Sequence, residues 1–333
     1  LEFRRVLFRS YTEPLDLARE LVKGRKLDAL RLIYGSVPDT LSQLIRTAFV
    51  APEGHVLIDA DFSAIEARVI SWLAKEQWRL EVFRTHGKIH EASASQMFGV
   101  PLELIKKGRP EYALRQKGKV ATLALGYQGG AGSLVSMGAL RMGIPEEDLP
   151  DIVERWRNAN PAIVQFWSTV EAAAREAVNT GRAIELWGGR LAFARELDPE
   201  NDLDFLTIRM PNGRKLYYAK PHMGVNRFGR PSLCYWGMNQ TTKKWEVVET
   251  YGGKLAENIT QAAARDCLAE AIDRLEAAGY PVAFHIHDEV VIDAPPGRDS
   301  LEEVINIMRQ VPPWAEGLPL NADGWVNPFF KKD

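Results

Sequence analysis

Two carboxylates interrupt a run of residues that otherwise favours burial. In "FHIHDEVVIDA", Phe284 to Ala294, Asp288 and Glu289 stand between "VAFHI" and "VVIDA", stretches whose β-branched and aromatic residues read as two strands. Short acidic residues suit a hairpin turn, because they bond their own backbone. Carboxylates at the edge of a buried sheet also suit a divalent cation, which offsets the cost of keeping them there. The pair alone leaves both readings open. A second acidic position lies far upstream: Asp61 stands near the end of "HVLIDADF", His55 to Phe62, with Asp59 two residues earlier on the same strand face as a competing ligand. Two aspartates at adjacent strand ends could hold two Mg²⁺ ions roughly 3.5–4 Å apart, the arrangement for in-line displacement at phosphorus.

The third chemical feature is cationic. In "RQKGKVATLALGYQGG", Arg115, Lys119, Leu123 and Tyr127 recur every four residues, so on a helix they drift slowly along one face with both cations at its N-terminal end. Cations there oppose the helix dipole unless an anion binds, and free N–H groups beside them would make a triphosphate site. A solvated basic face is the alternative. Gly118 inside this helix costs roughly 1 kcal/mol relative to alanine, a hint of close packing.

These residues need a sheet and helices to position them. "HVLIDADF" predicts a strand, and "SAIEARVISWLAKE" a helix capped by Ser63. The residues from Tyr11 to Phe49 read as helical, with Asp39 as a cap, and His86 to Thr180 is mostly helix broken by glycine and proline. Arg182 to Tyr251 turns β-rich, Ala256 to Ala278 predicts a long helix, and Leu301 to Arg309 a last one. The order strand–helix, helical block, β segment, helix, hairpin is an α+β pattern. With 333 residues, 46% of them hydrophobic, the chain can bury a large core in one domain or two subdomains. No apolar run approaches the roughly 20 residues that span a bilayer, so no membrane partner is expected. Two cysteines, Cys234 and Cys267, build neither a disulfide framework nor a zinc site and point to a cytoplasmic home. A net charge of -2 gives no global pull toward nucleic acid, leaving local clusters such as Lys106, Lys107 and Arg109 to supply it. The first ten residues, "LEFRRVLFRS", match nothing that follows. Their codons resemble a translated sequencing adapter, so 1–10 is read as an artefact joined to a fragment whose upstream part is missing.

"DFSAIEAR" (Asp61 to Arg68), "RQKGKVATLALGYQGG" (Arg115 to Gly130) and "HDEVV" (His287 to Val291) stand in the order and approximate spacing of motifs A, B and C of family A DNA polymerases. The chain resembles the bacterial DNA polymerase I group and, most closely, its phage-encoded relatives. "GKIHEASASQMFG" and "ITQAAARD" extend the likeness over nearly everything from about Leu41. The resemblance implies a right-hand polymerase fold, with an antiparallel palm sheet, helical fingers and a thumb largely missing. It implies a helical lead-in over 11–48, palm over 49–85 and 252–333 with the motif C hairpin at 282–293, and fingers over 86–181 with the motif B helix near 111–126. The 182–251 stretch would be a β-rich insertion on the palm, with Arg209, Arg214 and Lys215 facing DNA or solvent.

It also implies roles. Asp61, Asp288 and the Phe62 carbonyl would hold two Mg²⁺, with Mn²⁺ as a substitute, while Arg115, Lys119 and His90 meet the triphosphate. Glu66 would exclude a ribose 2′-hydroxyl, Leu123 and Tyr127 would line the nucleotide site with Tyr127 at the template base, and His287 and Gln261 would meet primer–template. Glu289 would support the metal site. The implied activity is DNA-directed DNA synthesis from dNTPs by a monomer in a bacterial host cytoplasm. A two-metal nuclease, or a truncated, inactive fragment that only binds primer–template, are the alternatives. Leu123 replaces the usual Phe or Tyr, and Ala64 a polar residue, so sugar discrimination and speed do not carry over.

Overall fold

The computed structural model describes residues 14–226 and 229–331. The decapeptide Leu1 to Ser10 lies outside them. The described chain divides into two compact units: 14–63, 268–310 and 321–331 in the first, and 64–267 with 311–320 in the second.

The first unit is built on a four-stranded antiparallel sheet, with Ala322–Asn327, Val56–Phe62, Glu289–Ala294 and Val282–Ile286 in that order. Val56–Phe62 is interior, which is why its apolar run is nearly continuous. Gly324 lets its neighbour approach closely, since a Cβ there would meet the Asp59 carbonyl at 2.1 Å. Leu57, Val291 and Phe330 form a core cluster with Phe284, Ile286 and Trp325 packed against it. The Phe330 N–H donates to the Phe49 carbonyl at 2.9 Å, tying the end of the described chain to the entry of the sheet. Helices Leu15–Lys23, Leu27–Tyr34 and Val37–Leu44 precede it, followed by a 3₁₀ turn, Ile45–Ala48. The cap of Val37–Leu44 is Ser36, whose Oγ accepts the Asp39 N–H at 3.3 Å, so Asp39 falls in the first turn instead of capping. Helix Leu301–Met308, capped by Ser300, packs on strands Val56–Phe62 and Ala322–Asn327.

The second unit joins a helical block to a six-stranded antiparallel meander, Ile184–Leu186 through Trp245–Thr250, in which every strand pairs with its sequence neighbour. Leu191, Phe193, Leu206, Ile208 and Tyr218 are buried on the face toward helix Pro161–Thr180. The opposite face carries Tyr217, Trp236, Met238, Trp245 and Val247, all exposed. The 182–251 stretch packs on helix Pro161–Thr180 and also bonds helix Gly252–Ala277, where Arg214 donates to Asp266 and Asn258 donates to Tyr218. Arg209, Arg214 and Lys215, foreseen facing DNA or solvent, reach Glu185, Asp266 and Glu196 at 3.4, 2.8 and 2.6 Å. Helix Ile65–Ala74 has Ala64 at its N-cap in a left-handed conformation, φ 52°, so Ser63, foreseen as the cap, stands one residue before the N-cap position. A buried polar hub stabilises the block. Arg79, 1% exposed, donates to Ser71 Oγ at 2.9 Å and Asn160 Oδ1 at 3.1 Å, and Glu76 accepts the Ala162 and Ile163 N–H groups at the start of Pro161–Thr180.

Candidate active site

In the first unit, strand alternation puts Asp59 and Asp61 on one face of Val56–Phe62. Asp61 stands opposite Glu289 on one neighbouring strand and Asp323 on the other, and directly opposed residues share a sheet face. His287 and Asp288 form the two-residue turn that leads into Glu289, with His287 exposed and left-handed at φ 57°. The Phe62 N–H donates to the Asp288 carbonyl at 3.1 Å, which brings the end of the Asp61 strand to the Asp288 turn. The turn reading of the acidic pair holds for Asp288, and Glu289 is the first residue of the returning strand.

Carboxylates in a row across adjacent strands repel one another, so their assembly calls for cations. One is Arg46, which the sequence did not single out. It is 2% exposed, its Nη1 is 3.9 Å from Glu289 Oε1, and its guanidinium carbon sits 5.0 Å from the Phe330 ring centroid. A hard divalent ion is the other fit for this donor set, because carboxylate and carbonyl oxygens suit Mg²⁺. Among the described residues no three His, Cys, Asp or Glu side chains converge as a metal cage.

In the second unit, helix Leu114–Leu125 carries Arg115, Lys119 and the exposed Leu123, while Tyr127 lies beyond its end. A 3₁₀ turn, Pro110–Ala113, runs straight into the helix, and the Leu114 N–H donates back to the Glu111 carbonyl. The free N–H groups foreseen at the helix start are partly engaged by that turn. Gly118 packs on helix Ile89–Phe98: a Cβ there would meet the His90 carbonyl at 2.2 Å and Ala94 N at 3.0 Å. This contact sets Arg115 beside His90 and Glu91. Arg115 Nε donates to Glu91 Oε1 at 2.7 Å. Burial pushes the Glu91 carboxyl up, but the Arg115 hydrogen bond and charge outweigh it and hold the group below its usual range. Burial first, then the Arg115 charge, drives His90 down to about 4, so its ring is neutral at neutral pH.

Glu66 lies in the first turn of Ile65–Ala74 and is held from two sides. The Tyr127 hydroxyl donates to Glu66 Oε2 at 2.6 Å, and Gln261 Nε2 donates to Oε1 at 3.3 Å. Burial, then the Glu66 charge, keeps the Tyr127 phenol well above its ordinary pKa and therefore protonated as a donor. Gln261 reaches this point on helix Gly252–Ala277, whose start abuts the turn after Leu125: a Cβ on Gly253 would meet the Tyr127 carbonyl at 2.4 Å. Sequence reasoning singled out all three residues but not their mutual contacts, and it missed Arg46, Asp323, Arg79 and Glu76. Glu76, in "AKEQW", bears no signal separating a helix cap from a solvated acid.

A family model for DNA polymerase family A matches residues 35–203. The chain is 54% identical over 322 residues to a DNA polymerase of Bacillus phage SP02, covering 96% of this chain and 48% of that protein. It is 25% identical over 271 residues to the thermostable DNA polymerase I of Thermus aquaticus, covering 81% of this chain and 26% of that one. Among solved structures, the polymerase domain of Pol1 from M. smegmatis, in complex with DNA primer–template and dNTP, matches with a TM-score of 0.50 at 21% identity, covering 86% of this chain and 41% of that one. The chain thus spans about half the length of the phage relative and about a quarter of the Thermus one.

Proposed function

The chain belongs to DNA polymerase family A, and on that footing we propose that it carries out template-directed DNA synthesis, adding deoxynucleotides to a primer 3′-hydroxyl. The primer 3′-hydroxyl gives up its proton to solvent as its oxygen attacks the α-phosphorus of the dNTP, the bond from that phosphorus to the bridging oxygen breaks, and pyrophosphate leaves. The observation that carries this reading is the meeting of Asp61 and Asp288 through the Phe62–Asp288 backbone hydrogen bond, beside a row of further carboxylates. Asp61, Asp288 and the Phe62 carbonyl would hold two Mg²⁺ ions, or Mn²⁺, which supply Lewis acidity at the attacking and leaving oxygens. Arg115 and Lys119 would neutralise the triphosphate, with the neutral His90 ring donating one hydrogen bond to it. Glu66, clamped by Tyr127 and Gln261, would stand as a wall against a ribose 2′-hydroxyl. Tyr127 would also sit by the template base, Leu123 would border the nucleotide, and His287 and Gln261 would meet primer–template. Glu289 supports the carboxylate row. The phage relative supports a phage-type polymerase working in a bacterial cytoplasm, here taken as a monomer. Among the described residues no helix is long and apolar enough to cross a membrane.

Single-nucleotide addition to a labelled primer, run opposite each template base in Mg²⁺, tests the reading. Addition only of the complementary deoxynucleotide supports it. Shortening of the primer, or addition indifferent to the template, overturns it.

A further inference from the structure

The carboxylate row raises an electrostatic question that the two aspartates do not answer. Asp61 and Glu289 are directly opposed across adjacent antiparallel strands, where Cβ atoms stand about 4.5–5.5 Å apart and like charges destabilise the pair. Glu289 is 3% exposed, so water does little to screen it. Its position is nonetheless built into the sheet register.

Arg46 is the compensating charge. It comes from the Ile45–Ala48 turn, about 240 residues away in sequence, and is as buried as its partner at 2% exposed. Its Nη1 lies 3.9 Å from Glu289 Oε1, and the guanidinium carbon lies 5.0 Å from the Phe330 ring centroid. Phe330 in turn belongs to the core cluster beneath the sheet and is tied to Phe49, three residues after Arg46, by a 2.9 Å backbone hydrogen bond. The cation is therefore fixed by packing from both sides.

We infer that Arg46 is a positioning residue for the metal site: it cancels the charge of Glu289, so that Glu289 anchors the Asp288 turn without acting as a third ligand. The inference rests on the metal role proposed for Asp61 and Asp288. Arg46 and Glu289 then form a neutral unit beside that pair, and removing either charge shifts cation affinity in opposite directions. Loss of Arg46 makes the surroundings of the site more negative by one charge and tightens binding; loss of Glu289 makes them more positive by one charge and weakens it.

The test is Mn²⁺ titration of the full chain, with free ion followed by electron paramagnetic resonance and thermal stability recorded in parallel. Asp288→Asn should weaken Mn²⁺ binding at least tenfold; unchanged affinity would overturn the metal reading and this inference with it. Given that loss, Arg46→Met should bind Mn²⁺ about tenfold more tightly than the parent, and Glu289→Gln about tenfold more weakly. The double variant should return to within about twofold of the parent, and its melting temperature should recover part of what each single variant loses. If Arg46→Met does not fold, Glu289→Gln against the double variant decides. A double variant as weak as Glu289→Gln would make Glu289 a ligand and Arg46 a packing residue, overturning the inference while leaving the Asp61–Asp288 site intact.

Discussion

Replacing Gly118 by alanine sets two effects against each other. Alanine improves helix propensity by about 1 kcal/mol in the interior of Leu114–Leu125. Its Cβ, however, would lie 2.2 Å from the His90 carbonyl, 3.0 Å from Ala94 N and 3.1 Å from Ala94 Cβ. Two of those atoms are backbone and the third is fixed to it, so no side chain can swing away. The helices must part by roughly 1 Å to restore ordinary contact, a gap that forfeits a quarter to a half of each dispersion well along the interface. Overpacking of this kind costs about 1–3 kcal/mol, and the severe backbone clash puts it at the upper end. The net expectation is a loss of roughly 1–2 kcal/mol, read as a lower urea midpoint by tryptophan fluorescence and a melting temperature lower by about 2–6 °C. Arg115 and Lys119 move with the displaced helix relative to His90, so the KM for dNTP should rise as well. A G118A variant as stable as the parent, or more stable, would refute the close-packing account of this helix pair.

Tyr127→Phe removes one of the two donors holding Glu66; a hydrogen bond to a charged group is worth about 1.5–3 kcal/mol. Discrimination against ribonucleotides should therefore relax on the order of tenfold in paired dNTP and rNTP incorporation assays, and unchanged discrimination would separate Tyr127 from the gate. His90 titrates at about 4 in the folded chain against 6.5 ordinarily, so below pH 6.5 the unfolded chain takes up the proton first. Its stabilising contribution is whole above pH 6.5 and is lost progressively toward pH 4, by roughly 1–2 kcal/mol after allowing for solvent around a half-buried ring. The stability difference between parent and His90→Gln should follow that window in urea titrations; a difference that is flat, or that grows with falling pH in favour of the parent, contradicts it. Arg79→Met leaves Glu76, Asn160 and Ser71 without their buried cation and should cost about 3 kcal/mol of unfolding free energy. A loss below about 1 kcal/mol would show that the hub is replaceable by apolar packing.

Much of the framework was legible because it rests on local pattern. The run "HVLIDADF" became the interior strand Val56–Phe62, "SAIEAR" opened a helix, and the hairpin around Asp288 closed where its flanking apolar runs predicted. The misses have a common origin in backbone geometry and distant partners. Ser63 looks like a cap, but the left-handed Ala64 occupies that position. Asp39 yielded to Ser36 because Pro38 sits in the first turn of Val37–Leu44 and shifts the helix start. Arg46 and Asp323 acquire meaning only through tertiary contact, an ion pair to Glu289 for the first and sheet register with Asp61 for the second, each across more than two hundred residues. The Arg214–Asp266 and Lys215–Glu196 pairs likewise join residues that no local pattern links, while both cations keep much of their side chains exposed to solvent.

The most direct test of the proposed chemistry is primer extension in Mg²⁺ with deoxy- or ribonucleotides, comparing the parent chain with Asp61→Asn and Asp288→Asn. The account predicts template-directed extension with deoxynucleotides, strong discrimination against ribonucleotides, and loss of at least a thousandfold in rate in either variant. Extension that survives loss of either carboxylate, or that uses both sugars equally, would contradict it.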